Sequence, residues 1–135
     1  MKKTKNHHPN SRESMREHIV SKLYQMDLTD NFIYKPTKYD CVNEALASIT
    51  QNLSDYDALL EASLFNWKLN RLSYVDRAIL RLAAFEMKHT PTGIEIIIDQ
   101  ALNLTHKYSD EGDKKHVSFN NRVLENIAKN LNRKE

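Results

Sequence analysis

Glycine and proline are scarce in this chain of 135 residues, which holds two of the first and three of the second. A many-stranded sheet needs frequent turn residues, so the shortage argues for long helices joined by short connections. Cysteine is scarcer still. The single Cys41 permits no internal disulfide and no cysteine-based zinc cage, and a reducing cytoplasm suits it best. Long apolar runs are missing as well: a run such as Ile96 to Ile98 is far too short to cross a membrane. The N-terminus is polar and lacks the apolar core of a signal peptide. No phosphate-cradling glycine loop, GxGxxG or GxSxG occurs, and neither HExxH nor CxxC. His7 and His8 are adjacent near the N-terminus, while His18, His89, His106 and His116 stand alone on different segments. No catalysis, metal or cofactor is expected from such a pattern.

What is present begins with charge. The formal net charge of +2 hides an uneven distribution. Residues 1 to 22 hold six Lys/Arg against two Glu, residues 23 to 65 hold two against seven acids, and residues 66 to 135 hold twelve against nine. A basic start and an acidic middle make a dipolar molecule with one end suited to a polyanion. An ordinary lysine-rich solubility tail reads the same charges equally well.

Apolar periodicity supplies the helices. Residues 1 to 10 have none and are read as a mobile basic arm ahead of one domain over 11 to 135. Ser11, or alternatively Ser14, caps a first helix with Met15, Ile19, Leu23 and Met26 on one face. A second helix is expected over about 38 to 52, from Ala45, Leu46 and Ile49, and a third over about 55 to 69 through Leu59, Leu60, Leu64 and Trp67. Ser73 caps a fourth, with Asp76 in a position resembling a capping box, and Thr90-Pro91 stops it. A fifth spans about Thr92 to Tyr108, and a sixth about 113 to 131. The expected fold is a compact all-α bundle of six or seven helices.

The fourth helix is the densest segment. On a helical wheel Val75, Ala78, Ile79, Leu82, Ala83 and Phe85 cover a broad apolar arc, and Leu80, Ala84 and Met87 extend it almost all round. Arg77, Arg81 and Lys88 share one narrow polar strip. A helix this apolar should lie at the centre. Glu86 falls between Val75 and Ile79 inside the apolar arc, so its carboxylate must be hydrogen-bonded or paired. Asp76 and Glu86 sit about 15 Å apart along the axis. That separation is too wide for a catalytic pair on one substrate. The helix reads as a spine.

A basic and aromatic pattern flanks it. Lys2, Lys3, Lys5, Arg12 and Arg16 lead into the first helix, and Tyr24 follows two turns beyond Arg16. In the last helix Val117, Val123, Leu124, Ile127 and Leu131 form the core stripe, while Phe119 points about 110° away from its centre. Lys114 and Lys115 come just before it. An off-stripe phenylalanine beside lysines can stack on unpaired bases while the arm contacts phosphates. It can equally pack on another helix. Asn120 is a polar residue on the apolar stripe.

These residues also carry a family resemblance. "NWKLNRLSYVDRAILRLAAFEM" resembles the W…RL…DRAILRLA.YE core of the NusB transcription antitermination family. "IIIDQALNLTHKYS" resembles its INEA.ELAK.F segment, "SFNNRVLENIAK" its FVNGVLD.I segment and "SMREHIVSKLYQMD" its first helix. The match runs in order over residues 12 to 131. It implies an all-α fold of two helical halves that binds the boxA element of nascent ribosomal RNA together with a small-subunit ribosomal protein (NusE). That assembly helps RNA polymerase pass terminators. Carried over by position, the RNA contacts fall on Arg12, Arg16, Tyr24 and Phe119, with Lys2, Lys3, Lys5 and Lys115 as added phosphate contacts. Asp76, with Arg77 beside it, falls at the ribosomal-protein contact.

The departures from the family pattern are specific. Glu13 and Ser14 stand where arginines are common. Arg122 replaces the Gly of FVNG and Asn120 its Val, and INEA has become Ile98-Asp99-Gln100-Ala101. Lys115 takes a place where an acid or polar residue can occur, which favours RNA. Two other readings remain: a helical RNA-binding module like that joined to some ribosomal RNA methyltransferases, and a purely protein-binding helical adaptor.

Overall fold

The structure, a computed structural model, describes residues 11 to 109 and 115 to 133. Among these residues it is all-α, with six α-helices and one short 3-10 turn. Helix α1 spans Arg12–Leu28, α2 Asp40–Gln51, α3 Leu53–Ser63, α4 Tyr74–His89, α5 Ile94–Tyr108 and α6 Lys115–Asn130, with the 3-10 turn at Leu69–Arg71. No described helix is long and apolar enough to cross a membrane. The basic arm, with Lys2, Lys3 and Lys5, lies outside the described residues.

Local chemistry sets the helix ends. Ser11 caps α1, its hydroxyl accepting the Ser14 N–H at 3.1 Å. Ser73 caps α4 in the same way, accepting the Asp76 N–H at 3.1 Å. The capping box expected there is not completed, because the Asp76 carboxylate turns to Ser109 and Asn120. The third helix ends at Ser63, six residues before its expected limit. Leu64 is extended, and Asn66 takes a left-handed φ of 58°, which asparagine tolerates better than most side chains. This turn lifts Trp67 away from the core face where the helical periodicity had put it.

Helix α4 occupies the centre, as its nearly continuous apolar surface requires. It packs against all five other α-helices, and every residue from Ala78 to Met87 is buried. It touches α1, α2 and α3 from the first half and α5 and α6 from the second, so one core serves both.

The polar strip of α4 is open to water only at Lys88; Arg77 is half-buried and Arg81 is buried. Arg81 is only 3% exposed, and its guanidinium donates to Asp57 at 2.9 and 3.0 Å and to Asp27 at 2.9 Å. Burial by itself would weaken its hold on the proton, but the two carboxylates outweigh burial and raise its pKa above the ordinary arginine value. Arg77 pairs with the same Asp27 at 3.0 Å. Ionic ties therefore join α4 to the end of α1 and to α3. Glu86 has the partner its buried position demanded: Arg16 of α1 grips it with two bonds of 2.8 Å. Beyond α6, Arg133 donates to the carbonyls of Met87 at 2.8 Å and Thr92 at 3.0 Å, closing the C-terminal end of α4.

Candidate nucleic-acid interface

The site is organised around the first turn of α4. Asp76 is 4% exposed, and its Oδ1 accepts from the Ser109 hydroxyl at 2.7 Å and from Asn120 Nδ2 at 3.2 Å. Its Oδ2 lies 3.3 Å from His116 Nδ1. Asn120 also donates to Thr105 at 3.1 Å. One buried carboxylate thus ties α4 to the end of α5 and the start of α6. The awkward asparagine on the α6 stripe is its partner. Asp76 is consequently internal in this chain, its carboxylate turned to Ser109 and Asn120. The carboxylate fixes α6 instead of facing outward.

Fixing α6 positions Phe119. The ring is half-buried, 5.5 Å from Phe65 in a tilted arrangement and 6.4 Å from Trp67 at 66°. It lies off the core stripe, as the wheel indicated, yet it is packed on one side. The Arg122 guanidinium, which stands where the family has glycine, covers the Phe65 ring at 4.1 Å. Arg71 lies over Trp67 at 5.1 Å. Trp67 is 44% exposed, and with Phe119, Arg71, Ser73, Lys115 and His116 it lines a cavity of about 380 Å³.

A second depression opens on the other side of the same turn. Tyr24 is 37% exposed and lines a groove of about 450 Å³ with Val20, Ser21, Val75 and Tyr108. Val75 and Asp76 are consecutive, as are Tyr108 and Ser109, so the two cavities flank the Asp76 junction. The structure therefore gathers Tyr24, Lys115 and Phe119 around one end of α4.

The remaining candidates lie elsewhere. Arg12 is exposed at the start of α1, twelve residues before Tyr24. That places it about 18 Å further along the axis. It borders a separate depression with Cys41, Glu44 and Thr92. Arg16, expected to touch RNA, is 8% exposed and paired with Glu86. A guanidinium gripped this way cannot leave for a phosphate without stranding a buried carboxylate. Arg77, expected beside the partner contact, is likewise occupied by Asp27 and lies over the Tyr74 ring at 4.3 Å. Sequence reasoning missed Trp67 and Arg71. The signal that could have found them was Asn66, a residue suited to a left-handed turn in the middle of an assumed helix. Among the described residues, no group of three or more His, Cys, Asp or Glu is placed to hold a metal ion.

Fold and site together define a class: an all-α domain built on a buried central helix, with an aromatic and cationic patch at that helix's N-terminal end. The model of the NusB family matches residues 11 to 129, and the chain belongs to that family. A transcription antitermination protein NusB of Macrococcus caseolyticus is 33% identical over 130 residues, covering 89% of this chain and 98% of the relative. One of Clostridium perfringens is 32% identical over 138 residues, covering 90% and 98%. Among solved structures, T. maritima NusB superposes with a TM-score of 0.77 at 30% identity, covering 89% of this chain and 92% of that one. A chain in the crystal structure of a plectonemic RNA supercoil shares the fold at a TM-score of 0.75 and 24% identity, covering 92% and 98%.

Proposed function

We propose that this protein binds boxA-type single-stranded RNA of ribosomal RNA transcripts together with a small-subunit ribosomal protein (NusE), as part of the complex that carries RNA polymerase past terminators. The observation that carries this reading is the half-exposed Phe119 beside Trp67, with Lys115 and Arg71 on the same cavity. Aromatic faces accept unpaired bases, and neighbouring cations neutralise the strand's phosphates. Membership of a family whose relatives are named transcription antitermination proteins supplies the setting. In this reading Tyr24 and Phe119 stack on bases, while Lys2, Lys3, Lys5, Arg12 and Lys115 contact phosphates. Asp76 and Arg77 serve the partner contact indirectly, by holding the exposed Tyr74 and the Val75–Tyr108 groove in place.

The test is fluorescence anisotropy of a labelled boxA-type strand over a series of salt concentrations, with and without the ribosomal protein. Binding should weaken steeply with salt and tighten when the ribosomal protein is present. Absence of binding in both conditions would overturn the proposal.

A further inference from the structure

The cavity between Trp67 and Phe119 has a geometry that goes beyond general strand binding. Two rings meeting at 66° form a corner, in which one planar base can lie flat on one ring and meet the edge of the other. Their 6.4 Å separation leaves no room for a base sandwiched between them. The volume of about 380 Å³ falls within the range of pockets that hold small planar ligands. Arg71 lies over Trp67 at 5.1 Å, and Lys115 stands at the rim.

The polar groups around the corner are biased toward donors. Arg71 offers only N–H groups. The Ser73 oxygen already accepts the Asp76 N–H and still has its own O–H to donate. The one carboxylate on the cavity wall, Asp76, is already turned to Ser109, Asn120 and His116 and is almost wholly buried. A base edge rich in carbonyl oxygen fits such a wall, and an edge carrying an amino group does not.

We propose that the Trp67–Phe119 corner captures one unpaired RNA base and selects uracil, which carries no amino group, over the amino bases cytosine and adenine. Trp67 is the platform, and Arg71 and Ser73 read the carbonyl. This rests on the RNA-binding reading above and specifies where on that surface a base is chosen.

Trp67 is the only tryptophan in the chain, so its fluorescence reports on the corner without labelling. The full-length protein would be titrated with short oligouridylate and oligocytidylate, which differ in one carbonyl-for-amino exchange. Total binding would be followed in parallel by anisotropy of end-labelled strands. Oligouridylate should quench Trp67 emission saturably and bind at least severalfold tighter than oligocytidylate. Arg71→Gln should keep the quenching but erase the preference. Trp67→Ala should lower oligouridylate affinity about fivefold or more, and Trp67→Phe should restore most of it. The unfolding midpoint of each variant serves as the folding control. Strands that bind by anisotropy while leaving Trp67 emission unchanged would overturn the proposal and leave the RNA reading standing. So would equal affinity for the two homopolymers. A lack of any anisotropy change, with or without the ribosomal protein, would overturn the RNA reading itself.

Discussion

The two ends of α4 each bury a carboxylate and satisfy it by opposite means. Near the C-terminal end Glu86 is held by one guanidinium, Arg16, through two short bonds. Near the N-terminal end Asp76 is held by a hydroxyl and an amide, with a half-buried imidazole at its other oxygen. The ionic end closes on itself, and Arg133 seals the carbonyls beside it. The other end stays open, with a cavity on either side of the junction. A charge neutralised by a full counter-charge makes a rigid post. One satisfied by groups from two other elements ties three helix ends together, and the aromatic patch is built on that junction.

Several substitutions would break or sharpen this contrast. The largest effect is expected at the ionic end. Glu86→Ala strands Arg16 in the core and should cost about 3–5 kcal/mol of stability in urea unfolding. RNA affinity of the protein that remains folded should stay unchanged. A loss below 1 kcal/mol on the order-of-magnitude scale for exposed pairs would mean that Glu86 is not buried with Arg16 in solution.

At the open end Asp76→Ala leaves Ser109, Asn120 and His116 without their common acceptor. A loss of about 1–3 kcal/mol is expected, smaller than for Glu86 because no full charge is stranded. RNA affinity should fall with it, since α6 carries Phe119. Retention of full RNA affinity would disconnect the junction from the patch.

Phe119→Ala tests the patch directly. A stacked base is worth about 1–3 kcal/mol of binding free energy. Because the ring is half-buried against Phe65 and Trp67, stability should also fall, but by less than the roughly 3–5 kcal/mol of a fully buried phenylalanine. A full core-sized loss with intact RNA binding would make it a packing residue. Removal of residues 1 to 10 should leave stability untouched and flatten the salt dependence of RNA binding. An unchanged slope would leave the whole electrostatic term to the folded part.

The smallest effect concerns acid. Desolvation, and after it the charge of Lys22, lower the His18 pKa below its ordinary value. The folded state thus prefers the neutral ring, and the unfolded chain binds the extra proton. Stability is complete above about pH 6.5 and declines as pH falls toward the folded-state value. His18→Gln should remove that decline in unfolding free energy measured across the window. An identical pH profile would show that other groups govern it.

Much of this was legible in the sequence, because helices are written in local periodicity and caps. Ser11 and Ser73 announced their roles, and the wheel placed α4 at the centre with a carboxylate in need of a partner. The identity of partners was not legible. Arg16 lies 70 positions from Glu86, and Asp27 lies 54 from Arg81, and nothing local distinguishes these basic side chains from RNA-facing ones. Trp67 was missed because apolar spacing continued past Ser63 while the backbone did not. The surroundings of Asp76 were equally hidden, because they are set by residues at the end of α5 and the start of α6.

The span between Arg16 and Glu86 has a consequence for how the molecule is made. During synthesis α1 precedes α4, yet Arg16 and Asp27 of α1 find their counterparts only on α4. Until residue 86 has left the ribosome, the first helix has no place to lodge its charged face, and closing so long a loop is costlier than local helix pairing. α2 and α3 come next in the order of synthesis, and the charged face of α1 should lock only once α4 has followed them. A translational pause before α4 would therefore hold a chain whose N-terminal helix, with its basic side chains, is still undocked.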